Sequence, residues 1–463
     1  MLHKIRRFLL SPGYLPIPLA VGVLGLFGGE KTAFLSMVLN ALLVALVLFV
    51  CDDMLPAFLP AFSIIVIGTT LLSNLEIVLP LIPFAIPAAL GLIFHLICYR
   101  RPLYIGKSLY GLIAASAAVL LSGIGTSLST RDYTSLAAVY HIIGLSVGLI
   151  VLYFLFASNR RAERTYDPID YFLLSMMLLG LLCAAVILRN FLQWLIPNFS
   201  LLQLKDSGNL HAYFTNIPYR NTIATLLIMC IPSAFYFAKR VAVPLLEIGF
   251  FLVGLFTYLA LVLTIARTAL VFGTILLILC LVYYLHGKGS RRVKCFNFFL
   301  LLVGAIGALS LLGEPLYSLF ELRMKNGLVS AGEVRVKLLL CSFDDFISHP
   351  IFGIGITSTI HSDLYSAPGC IGWYHMYFPQ LWGSMGMVGL VAYTYQLILR
   401  AKLIFTKPDA QSIAMGLVYL GLFLYSQTDP GEFAPIPYAV ITVLLFVLLE
   451  GREKQFAQPK LEE

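Results

Sequence analysis

Residues 244–285 read PLLEIGFFLVGLFTYLALVLTIARTALVFGTILLILCLVYYL, a stretch whose only charges are Glu247 and Arg267. Each half is an apolar run of about 20 residues, enough to cross roughly 30 Å of hydrocarbon as a helix. Similar runs lie on either side, at roughly 12–28, 33–50, 55–74, 76–98, 105–124, 135–157, 169–190, 221–238, 241–265, 268–286, 295–313, 377–398, 410–427 and 433–450. The 463 residues are 60% hydrophobic and 12% charged, with mean hydropathy +0.91. Soluble domains carry about 25% charged residues, so a water-soluble globular enzyme is excluded. The expected fold is all-α: a polytopic membrane helical bundle of about 12–14 transmembrane helices, with 1–463 a single integral membrane domain.

The formal charge of +8 bears on topology rather than on nucleic acid, because short basic connections resist translocation. Ten of the 31 Lys and Arg residues (Lys31, Arg131, Arg189, Lys205, Arg220, Arg267, Arg323, Lys325, Arg335 and Lys337) fall on one side of the alternating connections, and the other 21 on the opposite side. Both termini are therefore expected in the cytoplasm, with 451–463 a cytoplasmic tail and the basic N-terminus leading into an uncleaved first span. The eight cysteines show no CxxC or Cys/His ligand spacing, and only Cys341 and Cys370 share a loop where pairing is conceivable. Two outward connections stand out, 191–219 and 314–376. Within the longer one, Glu333 to Ile347 reads as an amphipathic helix with Val336, Leu339, Leu340, Phe343, Phe346 and Ile347 on one stripe, stopped by Ser348-His349-Pro350.

Ionised side chains at membrane depth are costly, so Arg189, Arg220, Arg267, Arg335 and His375 on the outward side are functional candidates. Each has a plainer reading. An Arg at a helix end can snorkel to the headgroups, and His375 can be an interfacial histidine among Trp373, Tyr374 and Tyr377. Gly383, Gly386 and Gly389 read first as small residues that let helices approach in lipid. Asp344 and Asp345 adjoin on the helix, about 100° apart, which argues against a shared metal; no DxD or convincing metal-ligand spacing is present, and no cofactor is expected.

The stretch 335–390 carries a more specific pattern. Arg335 is followed about fifteen residues on by His349-Pro350-Ile351-Phe352-Gly353-Ile354-Gly355; His375 is followed, after Met376 and nine further residues, by Gly386-x-x-Gly389. Upstream stand Thr264-Ile265-Ala266-Arg267-Thr268-Ala269-Leu270 and Tyr219-Arg220-Asn221-Thr222-Ile223-Ala224. In this order the elements resemble those of the O-antigen ligase/polymerase superfamily, the membrane glycosyltransferases that include O-antigen ligases and Wzy-type polysaccharide polymerases. The likeness covers roughly 210–430. Met376 departs from the amide or hydroxyl residue usual in the ligase pattern, and Ala266 stands where Ser is common.

The resemblance implies a GT-C-like membrane enzyme in the bacterial cytoplasmic (inner) membrane, its active site facing outward. It implies an undecaprenyl-diphosphate-linked oligosaccharide donor, a glycan or lipid-glycan acceptor and, for a polymerase, a chain-length regulator as partner. His375 and Arg335 become the catalytic candidates, with Arg220, Arg267 and Arg335 on the diphosphate and Asp345 and Arg189 in reserve. The chemistry agrees: a planar guanidinium holds a pyrophosphate and offsets the charge that grows as it leaves, and a neutral imidazole can take a hydroxyl proton. Polymerisation of surface polysaccharide repeats is the leading expectation and transfer to lipid A-core or another surface acceptor the alternative. A lipid-linked oligosaccharide flippase is the competitor from another class; such transporters commonly show paired repeats, whereas this chain gathers its polar residues in one late loop.

Overall fold

At membrane depth a backbone finds no water, so each apolar run satisfies its own N–H and C=O groups by coiling into a helix. The computed structural model describes residues 2–71, 82–99, 105–129, 136–159, 164, 166–195, 220–356, 358, 374–429 and 431–455. Among them every extended element is helical. In chain order they are α1 (Leu2–Leu9), α2 (Pro16–Phe27), α3 (Glu30–Val50), α4 (Phe58–Leu71), α5 (Ile82–Cys98), α6 (Lys107–Ser129), α7 (Leu136–Ile143), α8 (Leu149–Ser158), α9 (Pro168–Leu195), α10 (Arg220–Arg240), α11 (Pro244–Leu263), α12 (Arg267–Leu285), α13 (Arg291–Ser348), α14 (Tyr377–Phe405), α15 (Ala410–Tyr425) and α16 (Val440–Gln455).

Nine helices among the described residues are long and apolar enough to cross a membrane, and a bent pair, Leu2–Leu9 with Pro12–Phe27, adds a tenth. Leu55–Gly68, Ala85–Cys98 and Ala410–Tyr425 are shorter apolar helices. The all-α polytopic expectation therefore holds, with local differences. The first span is no straight rod: it bends by 84° where Ser11, Pro12 and Gly13 interrupt the helix. The two runs of 244–285 are separate spans, parted by only Thr264, Ile265 and Ala266. The amphipathic segment 333–347 is the end of α13, which begins at Arg291. The expected connection 191–219 lies outside the described residues from 196 onward, as does Cys370; the seven cysteines described are unpaired.

The chain folds as two compact units. The first comprises 1–101, 161–323 and 414–421. In it α9, α10 and α11 pack through small residues: Gly180 leaves room for Cys230, and Gly254 for the Phe235 ring. Lipid supplies no hydrophobic drive between helices, so close packing and polar pairs hold them. The pairs gather at one end: buried Asp53 accepts from Arg164 and Tyr166, and Asp170 from Arg240 and Tyr236.

The second unit comprises 102–160, 324–413 and 422–463. Its core joins α6, α8, α14 and α16 through Leu112, Val119, Tyr153, Tyr377, Tyr393, Phe433 and Val447. Two buried carboxylates are tied inside it. Glu432 accepts from Arg400 at 2.8 Å, and Glu450 accepts from the Tyr153 hydroxyl at 3.0 Å and the Ser108 amide.

Candidate functional site

The site in the second unit begins with the end of α13. Its inward face is Leu338, Cys341, Ser342 and Asp345. Leu338 packs with Ile354 and Tyr374, Ser342 Oγ accepts the Trp382 indole N–H at 2.9 Å, and Asp345 Oδ2 accepts the Tyr374 hydroxyl. The Phe343 ring stacks on Trp382 at 5.1 Å between centroids. The expected apolar stripe is therefore not the packing face: Val336, Leu340, Phe343 and Ile347 are exposed, while Leu338 and Ser342 are fully buried. Periodicity reports which residues share a face, not which face meets protein.

After Ser348 the chain turns through His349-Pro350-Ile351-Phe352-Gly353-Ile354-Gly355 and lies against a break in α14. Gly386, at φ 62° and ψ −153°, interrupts that helix. The break and the loop exchange backbone hydrogen bonds: Ile354 N–H to Gly383 O at 3.0 Å, Gly355 N–H to Ser384 O at 2.8 Å, Met387 N–H to Pro350 O at 2.8 Å and Val388 N–H to Ile351 O at 3.2 Å. On its other side the loop meets α6, where Ile356 N–H reaches Ser122 Oγ at 3.4 Å. This revises the helix-packing reading of the glycines. Gly386 is needed for its backbone angles and because a Cβ there would lie 2.5 Å from Ile351 O; Gly383 leaves room for the Tyr374 ring. A side chain at either position would push the loop or the strap below out of place.

That strap is Tyr374-His375-Met376, immediately before α14. Buried Tyr374 is held at both ends, its hydroxyl on Asp345 and its N–H on Gln380 Oε1 at 3.0 Å. Gln380 is itself buried and donates from Nε2 to Ser384 Oγ at 3.3 Å. Between these anchors His375 takes φ 53°, the left-handed region that costs a non-glycine residue about 1–2 kcal/mol and that concentrates at functional positions. Burial, and after it the positive charge of Arg335, pushes the imidazole down to about 4. The ring is thus an uncharged proton acceptor at neutral pH rather than one titrating near it. The structure brings Arg335, Asp345 and His375 together in this unit. Asp345 is committed to Tyr374, and Arg335 is exposed.

Arg189, Arg220 and Arg267 belong to the first unit, and helix register brings them to one end of it. Asp170 beside Arg240 and Gly180 beside Cys230 fix α9 antiparallel to α10; continuing that register sets Arg189 level with Arg220 and Asn221. Gly273 lies against Ile228, which carries Arg267, six residues earlier on parallel α12, to the level of Thr222. Arg220 and Arg267 each open their helix, where unpaired N–H groups and the helix dipole add to the pull on an anion. The Arg189 Nε atom is buried without a hydrogen-bond partner among the described residues. The turn before Arg267 is strained, with Ile265 at φ 49°.

Three residues of the site escaped the reading of the sequence: Tyr374 as the anchored neighbour of His375, and Gln380 and Ser384 as its support. A signal existed. Gln380 and Ser384 are polar residues four apart at the start of an apolar span, a spacing that puts them on one helix face. Trp373 lies outside the described residues. Residues 250–394 match the family model described as O-Antigen ligase, in agreement with the resemblance carried by the motifs. No curated protein and no solved structure matches the chain.

Proposed function

We propose that this chain, which carries an O-antigen ligase domain over residues 250–394, is a membrane glycosyltransferase. It moves a glycan from an undecaprenyl-diphosphate-linked donor to a hydroxyl acceptor on the outer face of the bacterial cytoplasmic membrane, both termini being cytoplasmic. The observation that carries this reading is His375: an uncharged imidazole on a strained, doubly anchored strap, under the influence of the Arg335 charge.

In the reaction the acceptor hydroxyl oxygen bonds to the anomeric carbon as the bond from that carbon to the diphosphate oxygen breaks. The hydroxyl proton passes to the His375 imidazole, and the leaving diphosphate keeps the electron pair. Arg335 offsets the charge that accumulates on it, the kind of electrostatic stabilisation that dominates transfer reactions, and the motif resemblance assigns Arg220 and Arg267 to the diphosphate as well. Asp345 orients Tyr374, and Arg189 stands in reserve at the arginine end of the first unit.

Within this class we favour polymerisation of surface polysaccharide repeats, because Met376 occupies the position where the ligase pattern carries an amide or hydroxyl residue. Transfer to lipid A-core or another surface acceptor is the second reading, favoured by the family description itself. Purified protein with lipid-linked donor, tested with and without EDTA, separates an enzyme from a flippase: no product with any acceptor refutes catalysis. Long glycans built on carrier lipid support polymerisation, and chains of normal length left untransferred after gene deletion identify a ligase.

A further inference from the structure

The eight residues of α1, LHKIRRFL, include Lys4, Arg6 and Arg7 and no acid. A bend of 84° turns this helix away from α2, and three contacts fix its rotation. Leu9 is buried, as is Leu10 beyond it. Arg6 Nη2 pairs with Asp52 Oδ1 at 2.7 Å, just past the end of α3. The Phe8 ring meets the buried Tyr14 ring edge-on, 6.3 Å between centroids. At about 100° per residue, Leu9 and Arg6 face protein, Phe8 and Ile5 share one flank, and His3 and Arg7 the other. Lys4 points away from the protein, about 60° from Arg7 around the helix. Phe8 remains 45% exposed beyond its contact with Tyr14. Lys4 and Arg7 are exposed, and neither has a carboxylate partner among the described residues.

Depth follows from α3. Its 21 residues extend about 31 Å at about 1.5 Å per residue, the thickness of the hydrocarbon, so Cys51 and Asp52 stand at one boundary. α2 runs antiparallel to α3: Ser36 Oγ donates to Val21 O at 2.7 Å, and Gly25 lies against Ala33 and Ser36. Continuing that register brings Ser11 to Tyr14 level with the last two turns of α3. A helix that leaves this point nearly at right angles to α2 lies along the boundary instead of crossing it. Tyr14 belongs to the deeper segment, so the flank of α1 that carries Phe8 is turned towards hydrocarbon. Beneath it the exposed Ile17, Leu24 and Phe27 of α2 continue the apolar surface.

We infer that α1 is an interfacial helix that binds anionic phospholipid: Phe8 and Ile5 enter the acyl region, and Lys4 and Arg7, three residues apart, hold a lipid phosphate. Such helices bind through buried apolar area together with attraction to anionic headgroups. The charges favour an anionic over a zwitterionic lipid. Arg6 is spent on Asp52, and neighbouring Asp53 on Arg164, so Lys4 and Arg7 meet the headgroup layer as uncompensated cations, each strengthening attachment to an anionic surface roughly fivefold. A mere topology signal needs no fixed rotation, whereas the Arg6–Asp52 pair and buried Leu9 hold this helix with its apolar flank towards lipid. The inference does not depend on the chemistry proposed above.

The test uses the full chain with p-benzoylphenylalanine in place of Phe8 or of His3. The protein is irradiated in proteoliposomes of equal parts phosphatidylglycerol and phosphatidylcholine with matched acyl chains, and adducts are identified by mass spectrometry. Lipid adducts are expected at position 8 and few at position 3, with phosphatidylglycerol captured severalfold over phosphatidylcholine. Lys4→Gln with Arg7→Gln should abolish that preference while leaving the thermal unfolding temperature unchanged. If the double variant does not accumulate, 1 M salt decides, because it cuts the screening length to about 3 Å: a preference removed by salt supports the site, and one retained overturns it. Absence of lipid adducts at position 8 overturns insertion. Equal capture of the two lipids by the wild-type α1, or a preference undiminished in the double variant, overturns the anionic site.

Discussion

Gly386→Ala tests the architecture of the site at one atom. The residue sits at φ 62° and ψ −153°, a region that is nearly glycine-only and costs another residue about 1–3 kcal/mol. The added Cβ would stand 2.5 Å from Ile351 O and 2.7 Å from Gly353 N, and both are backbone atoms that no rotamer change can move aside. The loop must therefore retreat, and the nearest exchanged bonds, from Met387 to Pro350 and from Val388 to Ile351, are the first lost. At about 0.5–1.5 kcal/mol net each they add about 1–3 kcal/mol, so the substitution should destabilise by about 2–6 kcal/mol, a large part of an ordinary folding margin. The assay is thermal unfolding in detergent alongside glycan transfer. Gly304→Ala and Gly307→Ala, where a Cβ meets nothing within 4 Å, serve as helix-interior controls and should leave both unchanged or slightly raise stability. A Gly386→Ala protein that unfolds at the wild-type temperature and transfers at the wild-type rate would refute the loop-in-break account.

Other outcomes follow from the strap and the arginines. His375→Ala and Arg335→Ala should each abolish transfer at normal protein abundance; activity retained in His375→Ala removes it as the base. Because the folded imidazole titrates at about 4 against 6.5 for the free group, the neutral ring's contribution to stability is complete above pH 6.5. It is lost as pH falls from 6.5 through about 4, and an NMR titration of His375 with a midpoint near 6.5 contradicts the burial argument. Gln380→Leu should lower kcat more than it changes KM, by roughly tenfold or more if the loosened strap misplaces the base, with Gln380→Glu recovering part of the rate; equal effects of both variants on protein abundance alone would make Gln380 merely structural. Arg220→Ala and Arg267→Ala should weaken donor binding, and unchanged donor affinity contradicts contact with the diphosphate.

Much of the fold was legible because one physical constraint dominates: runs such as 244–263 and 267–285 can hide their backbone from lipid only as helices. The short break between them was the faintest, marked in the sequence by Arg267 with almost no polar residues around it. His375 and Arg335 stood out as candidates for a related reason, since buried or interfacial charge in an apolar chain needs a purpose. The burial of Tyr374 and its bonds to Asp345 and Gln380 join residues 29 and 6 apart in the chain, and no local pattern encodes the first of these.

The stripe at 336–347 shows what periodicity leaves open in a membrane protein. In water an apolar face seeks protein. In lipid the rule reverses, because hydrocarbon receives apolar side chains as readily as a protein core does and polar residues become the adhesive. Ser342 and Asp345, the polar residues of this helix, are accordingly the ones that meet Trp382 and Tyr374. Gly386 illustrates the same reversal in the backbone. A helix broken in water can be solvated, whereas one broken at membrane depth must hand its freed N–H and C=O groups to another segment of the chain. The glycine pattern in α14 and the glycine-rich loop at 349–355 are therefore two halves of one hydrogen-bonded feature, and a change in either should be felt in the other. A Gly353→Ala substitution, whose Cβ would fall 2.5 Å from Met385 N at a residue of φ 65°, should reproduce the loss of stability and transfer expected of Gly386→Ala. The double variant should lose less than the sum of the two, because the same contact is broken once. Additive losses would separate the two glycines and refute their pairing.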